Sequence, residues 1–109
     1  MITCFIRYEI DPFGVDAFER YARGWGEAIP RCGADLIGYF APHEGSATTA
    51  YGIYNVANLA AYEAYRARLR EDPLGRKNYE FARRERFIHR EDRMFLRLAS
   101  GPHAPVVAA

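Results

Sequence analysis

Cysteine is scarce in this chain: Cys4 and Cys32 are the only two in 109 residues. Cys4 falls within a strand pattern and Cys32 at the end of a helix pattern, so neither is placed as a staple. Reduced thiols in a cytoplasmic protein are expected. Charge of one sign is missing too: fifteen basic residues stand against fourteen acidic ones, a net of +1. That balance draws the chain neither to nucleic acid nor to an anionic membrane. No apolar stretch approaches the length of a membrane span, and no basic leader with an apolar run opens the sequence. The three histidines, His43, His89 and His103, lack ligand spacing, and no H-E-x-x-H pattern occurs, so neither a metal nor a cofactor is expected. Ser46 and Ser100 have no G-x-S-x-G setting. Gly24-x-Gly26 lies inside a helical pattern, without a preceding strand or a later glycine, and so makes no phosphate loop. Internal repeats and low-complexity segments are absent.

What the chain does have is apolar and aromatic surface. Half of its residues are hydrophobic and 15% are aromatic. This is a globular composition with more aromatic area than one small core requires, which predicts a partner interface or a pocket. Residues 1–100 read as one domain and 101–109, with Gly101, Pro102 and Pro105, as a tail.

Along the chain, Ile2 to Ile10 alternates as a strand. Ile2, Cys4, Ile6, Tyr8 and Ile10 form an apolar face that belongs under helices, with Thr3, Phe5, Arg7 and Glu9 on the other. Asp11-Pro12-Phe13-Gly14 is a turn. Asp16 and Glu19 match a capping box, and Phe18, Tyr21, Ala22, Trp25, Ala28 and Ile29 follow helical spacing to about Pro30. Gly24 and Gly26 within it are expected to let the helix approach the sheet. A strand over Leu36 to His43 should set Ile37, Tyr39 and Ala41 opposite Leu36, Gly38 and Phe40. The turn Pro42 to Ala47 leads to a third strand, Thr48 to Val56. Asn58 is placed as an N-cap, and Leu59, Tyr62, Tyr65, Arg66 and Leu69 share one face of the helix that follows. Asp72-Pro73 ends that helix and opens another, Leu74 to about Phe87. Its run Arg83-Arg84-Glu85-Arg86 reads as a solvated face. Arg93 to Ala99 is the last strand, with Met94, Leu96 and Leu98 on one side.

The order gives an α+β, ferredoxin-like βαββαβ fold with an extra helix before the last strand and an antiparallel sheet. Helices on one side leave the other face bare. Phe5, with Tyr39 or Phe40 and Tyr51 or Tyr54, calls for a cover there, which predicts a homodimer whose two sheets form a barrel-like sandwich. The RNA-recognition version of this topology is excluded: Tyr51-Gly-Ile-Tyr-Asn-Val56 lacks the leading basic residue and the aromatic pattern that stacks bases.

Two groups of residues carry candidate chemistry. Tyr54, Tyr62 and Arg66 together suit a carboxylate or a polarised carbonyl, arginine being the usual bidentate partner of such groups. Trp25 and Tyr39 stand beside them as walls for a flat ligand, the bland reading of Trp25 being plain core. Arg66 has its own bland reading, a rim ion pair with Glu63 or Asp72. His43-Glu44, in a turn, offers an imidazole base that titrates near neutral pH, against the reading of an ordinary solvated turn.

Gly38-Tyr-Phe-Ala-Pro-His-Glu-Gly45, then Leu59-Ala-Ala-Tyr-Glu-Ala-Tyr-Arg66 and Asp72-Pro73, resembles the bacterial branch of the NIPSNAP family, within the dimeric α+β barrel superfamily. The resemblance runs from the first strand to the last and excludes the tail. Leu74-Gly75 stands where many members carry a bulky aromatic. The resemblance implies the fold and the dimer. Related barrels include cofactor-free monooxygenases and haem-degrading enzymes that bind ligands between sheet and helices, an analogy of fold. Three readings follow. The first is a small-molecule-binding barrel with a pocket lined by Trp25, Tyr39, Tyr54, Tyr62 and Arg66 and His43 at its mouth. The second is a cofactor-independent monooxygenase-like enzyme with His43 as base and Arg66 holding a developing anion. The third is a structural or interaction module that docks through the helix from Leu74.

Overall fold

The computed structural model describes residues 1–102; His103 and the remainder of the expected tail lie outside the described residues. The chain runs β1 (Ile2–Ile10), α1 (Val15–Arg31), β2 (Asp35–Phe40), β3 (Thr49–Val56), α2 (Leu59–Glu71), α3 (Pro73–Glu85) and β4 (Ile88–Leu96). The sheet order is β2-β3-β1-β4, and every neighbouring pair is antiparallel. This is the α+β, ferredoxin-like arrangement that the element order predicts, with α3 as the additional helix.

The two-residue period of β1 decides which side is buried. Cys4, Ile6, Tyr8 and Ile10 lie within the core, with Ala50, Tyr54 and Val56 of β3 beside them and Phe18, Tyr21, Trp25, Ala28 and Ile29 of α1 above. Through the pairing of β1 with β4, Glu91, Arg93 and Phe95 fall on the same helix-covered side, opposite Tyr8, Ile6 and Cys4. Both cysteines are buried and free.

Several local expectations are corrected. Gly14, not Asp16, caps α1, and no side chain bonds to that helix start. Strand β2 ends at Phe40, and the strict alternation expected along it is broken by a bulge at Ile37. Leu36 and Tyr39 therefore share the helix side, opposite Tyr54 and Gly52, while Gly38 and Phe40 turn to the open face. A Cβ on Gly52 would sit 2.7 Å from the Tyr39 ring, so the absent side chain is what lets that ring lie over the strand. Gly24 lets α1 approach α3 rather than the sheet, since a Cβ there would run into the Asn78 amide. Asn78 in turn donates from Nδ2 to the Tyr21 carbonyl at 2.8 Å.

Asn58 caps α2 as expected, its Oδ1 accepting from the Ala61 N–H at 2.8 Å. Leu59, placed on the packed face by its spacing, is instead exposed on the first turn; Tyr65 and Leu69 are the buried pair. Asp72 ends α2 and begins α3. Its carboxylate accepts from the Gly75 N–H at 2.9 Å and holds Arg31 in a two-pronged pair at 2.9 and 2.7 Å. Helix α3 stops at Glu85 because Arg86 turns left-handed (φ 53°), which drops Phe87 into the core. Strand β4 begins at Ile88, five residues before its expected start.

Candidate functional site

Every element contributes to one small cavity between the sheet and the helices. Its floor is Ile6 and Tyr8 of β1, Tyr39 of β2 and Tyr54 of β3. Its roof is Tyr21, Trp25 and Ile29 of α1, Tyr65, Arg66 and Leu69 of α2 and Tyr79 of α3, and β4 closes one side with Glu91 and Arg93. The volume is about 20 Å³, room for about one water-sized atom. Tyr79 and the Glu91 side chain, 39% and 37% exposed, mark the side that faces solvent.

Aromatic rings of the lining pack against one another, Trp25 meeting its neighbours edge to face, an arrangement that the ring quadrupoles favour. Trp25 meets Tyr21 at 5.5 Å and Tyr79 at 5.1 Å between ring centres. Tyr54 lies 5.2 Å from Tyr65. The hydroxyls of Tyr8 and Tyr39 are 3.4 Å apart. Burial raises the pKa of Tyr8, Tyr21, Tyr39, Tyr54 and Tyr65 above the ordinary 10, so each is a neutral hydroxyl at physiological pH.

Polar groups converge on this apolar box. Arg66 donates from Nη1 to the Tyr62 hydroxyl at 2.7 Å, and Tyr62 is held from the other side by Phe95, 4.7 Å away between centres. Arg93 donates from Nη2 to Glu91 Oε1 at 2.9 Å. Among the described residues, two buried N–H groups of the lining have no acceptor: Trp25 Nε1 and Arg66 Nε. Burial and the nearby Arg93 guanidinium work against the charge on Arg66, while Tyr79 and Tyr62 favour it, and its pKa ends above the ordinary value.

Of the residues singled out in the sequence, Trp25, Tyr39, Tyr54 and Arg66 line this one cavity. Tyr62 stands one step behind it, as the partner of Arg66. Arg66 makes neither of the rim ion pairs open to it in the sequence: Asp72 is taken by Arg31. His43 is not at the mouth. It lines a separate open groove with Pro12, Val15, Pro42 and Glu44. Arg93 and Glu91 escaped the sequence reading; the signal was their position two residues apart in a strand opposite Ile6 and Tyr8. Among the described residues no group of three or more His, Cys, Asp or Glu side chains is arranged to hold a metal ion.

The family model for NIPSNAP matches residues 3–102. The chain belongs to the NIPSNAP family. Among solved structures, a NIPSNAP family protein from Agrobacterium tumefaciens is similar at 24% identity and a TM-score of 0.74, over 93% of this chain and 89% of that one. An uncharacterised NIPSNAP domain protein from Burkholderia xenovorans is similar at 20% identity and a TM-score of 0.72, over 97% and 100% of the two chains. A protein from Nitrosomonas europaea described as a putative antibiotic biosynthesis monooxygenase reaches a TM-score of 0.69 at 9% identity, over 92% of this chain and 100% of that one. Among curated proteins, none matches this sequence. At these identities the likeness to the solved structures is one of fold, shared by NIPSNAP proteins and a monooxygenase-like chain alike.

Proposed function

We propose that this NIPSNAP chain binds a small molecule in the cavity between its sheet and its helices, and that it works as a homodimer in the cytoplasm. The observation that carries the binding reading is the pair of buried donors, Trp25 Nε1 and Arg66 Nε, left without partners on residues that line one cavity. A buried polar group without a partner costs about 1–3 kcal/mol. A ligand atom that accepts from them removes that cost. The cavity has room for one such atom, so the ligand enters by a polar tip, its body lying toward Tyr79 and Glu91. The dimer reading draws on the open sheet face, and the cytoplasmic one on the two free thiols.

Thermal melting tests the binding. A compound that fills the site at a hundred times its dissociation constant stabilises by about 2.7 kcal/mol, a rise of roughly 10 °C in a chain of this length. That rise is expected to shrink to about half or less in Trp25→Phe and Arg66→Met and to be unchanged in His43→Ala. A rise that survives both cavity substitutions undiminished would place the ligand elsewhere.

The fold likeness to the Nitrosomonas protein favours a second reading, a cofactor-independent monooxygenase-like enzyme in the same cavity, with Arg66 holding a developing anion. Its test is oxygen uptake with aromatic and polyketide-like substrates. Turnover that is unchanged in Arg66→Ala would dismiss the assignment.

A further inference from the structure

We propose that the ligand of this cavity is an organic anion, a carboxylate or the charged oxygen of an enolate or phenolate, held by Arg66 and Arg93 with Trp25 Nε1 as a further donor. The inference rests on the cavity being a binding site and goes beyond it by fixing the ligand's charge. Two guanidiniums line the cavity, those of Arg66 and Arg93, against one carboxylate, Glu91. Glu91 is already engaged, taking Arg93 Nη2 at 2.9 Å. Among the described residues Arg66 forms no ion pair; it donates to the neutral Tyr62 hydroxyl at 2.7 Å and its Nε to nothing. An anion that enters beside these two guanidiniums pairs with positive charge that Glu91 alone does not neutralise.

Arginine and the indole N–H donate and never accept. A group that meets Trp25 Nε1 or Arg66 Nε must therefore be an acceptor, and an ionised oxygen forms the shorter, stronger bonds. A water can accept from these groups but leaves the Arg66 charge uncompensated. The tyrosine hydroxyls around the site are neutral and can turn to donate, so nothing but Glu91 opposes a negative charge there. A cavity of about 20 Å³ admits an oxygen atom rather than a ring. The acidic end enters, and the body of the ligand rests at the exposed Tyr79 edge.

The test uses the full chain and its own reporter. Trp25 is the only tryptophan and lines the cavity, so its emission reads occupancy. The protein is titrated with sodium acetate and sodium benzoate, and with acetamide and benzamide as neutral isosteres, at an ionic strength held constant with sodium chloride. The expected result is a saturable change with the acids, at least about tenfold tighter than with the amides, and weakened by at least about tenfold in Arg66→Gln. If Arg66→Gln does not fold, judged by its melting transition, Arg93→Gln carries the comparison. Amides that bind as tightly as the acids, or acids that bind the variant as tightly as the parent, would overturn the charge assignment and leave the binding site standing. No saturable change with any of the four compounds would remove both.

Discussion

Tyrosine is the residue on which this interior is built, and its chemistry gives a sharp expectation. Tyr8, Tyr21, Tyr54 and Tyr65 are almost wholly buried, and burial raises each hydroxyl above the ordinary pKa of 10. The folded chain keeps protons that the unfolded chain gives up above pH 10. Their contribution is therefore fully present below that pH and is lost as the pH rises through the folded values. Each group removes up to about 1.4 kcal/mol per pH unit, so four together remove about 5 kcal/mol per unit, against a total stability of about 5–15 kcal/mol. Cooperative unfolding is expected within about one to three units above pH 10, with tyrosinate absorbance and loss of circular dichroism appearing together. Gradual ionisation of all eight tyrosines with the secondary structure intact would refute it. At this scale Trp25, Tyr54 and Arg66 were legible, because a two-residue period in the strand and a three-to-four-residue period in the helices say which side each faces. Glu91 and Arg93 were not. The stretch from Ile88 to Arg93 carries charges on both faces, as an edge strand can, so the apolar alternation that marks a strand begins only at Met94.

The helices and strands met most expectations because their punctuation is local. Asn58 and Asp72-Pro73 act within a turn of themselves, and their side-chain oxygens cap α2 and α3. Where a distant element decides, the sequence alone was not enough. The bulge at Ile37 is set by pairing with β3, and it alone turns Tyr39 toward the cavity. The crossing of α1 and α3 is another case, since nothing near Gly24 names Asn78 as its neighbour. Gly24→Ala should gain about 1 kcal/mol of helix propensity. It also forces aside an Asn78 amide that is buried and bonded to the Tyr21 carbonyl, a loss of about 1–3 kcal/mol. Net destabilisation in urea is expected, with Gly26→Ala as the control, because a Cβ at Gly26 meets nothing within 4 Å. Equal stabilisation by both substitutions would show that the helices part freely at this crossing.

On the scale of the whole molecule, the sheet has one face under helices and, among the described residues, one without. The uncovered face carries Phe5, Tyr51, Ile53 and the exposed Ile37, Phe40, Met94 and Leu96, apolar side chains of the kind that mark an interaction face. A second copy laid face to face is the cover we propose. Sedimentation at micromolar concentration should give about twice the 12.5 kDa of one chain, and Met94→Glu should shift the mass toward one; a parent chain that sediments as a monomer would contradict the dimer. The antiparallel order, the single-sided roof and the bare face all followed from alternation and element order. The cavity did not, since its walls come from seven elements whose approach no local pattern records. The claim that the rest serves is that this cavity takes a ligand, and a crystal structure of the full chain grown with benzoate tests it most directly. The account predicts a carboxylate oxygen accepting from Trp25 Nε1 and Arg66 Nε. Side chains closed on one another, or a lone water between them at saturating benzoate, would contradict it.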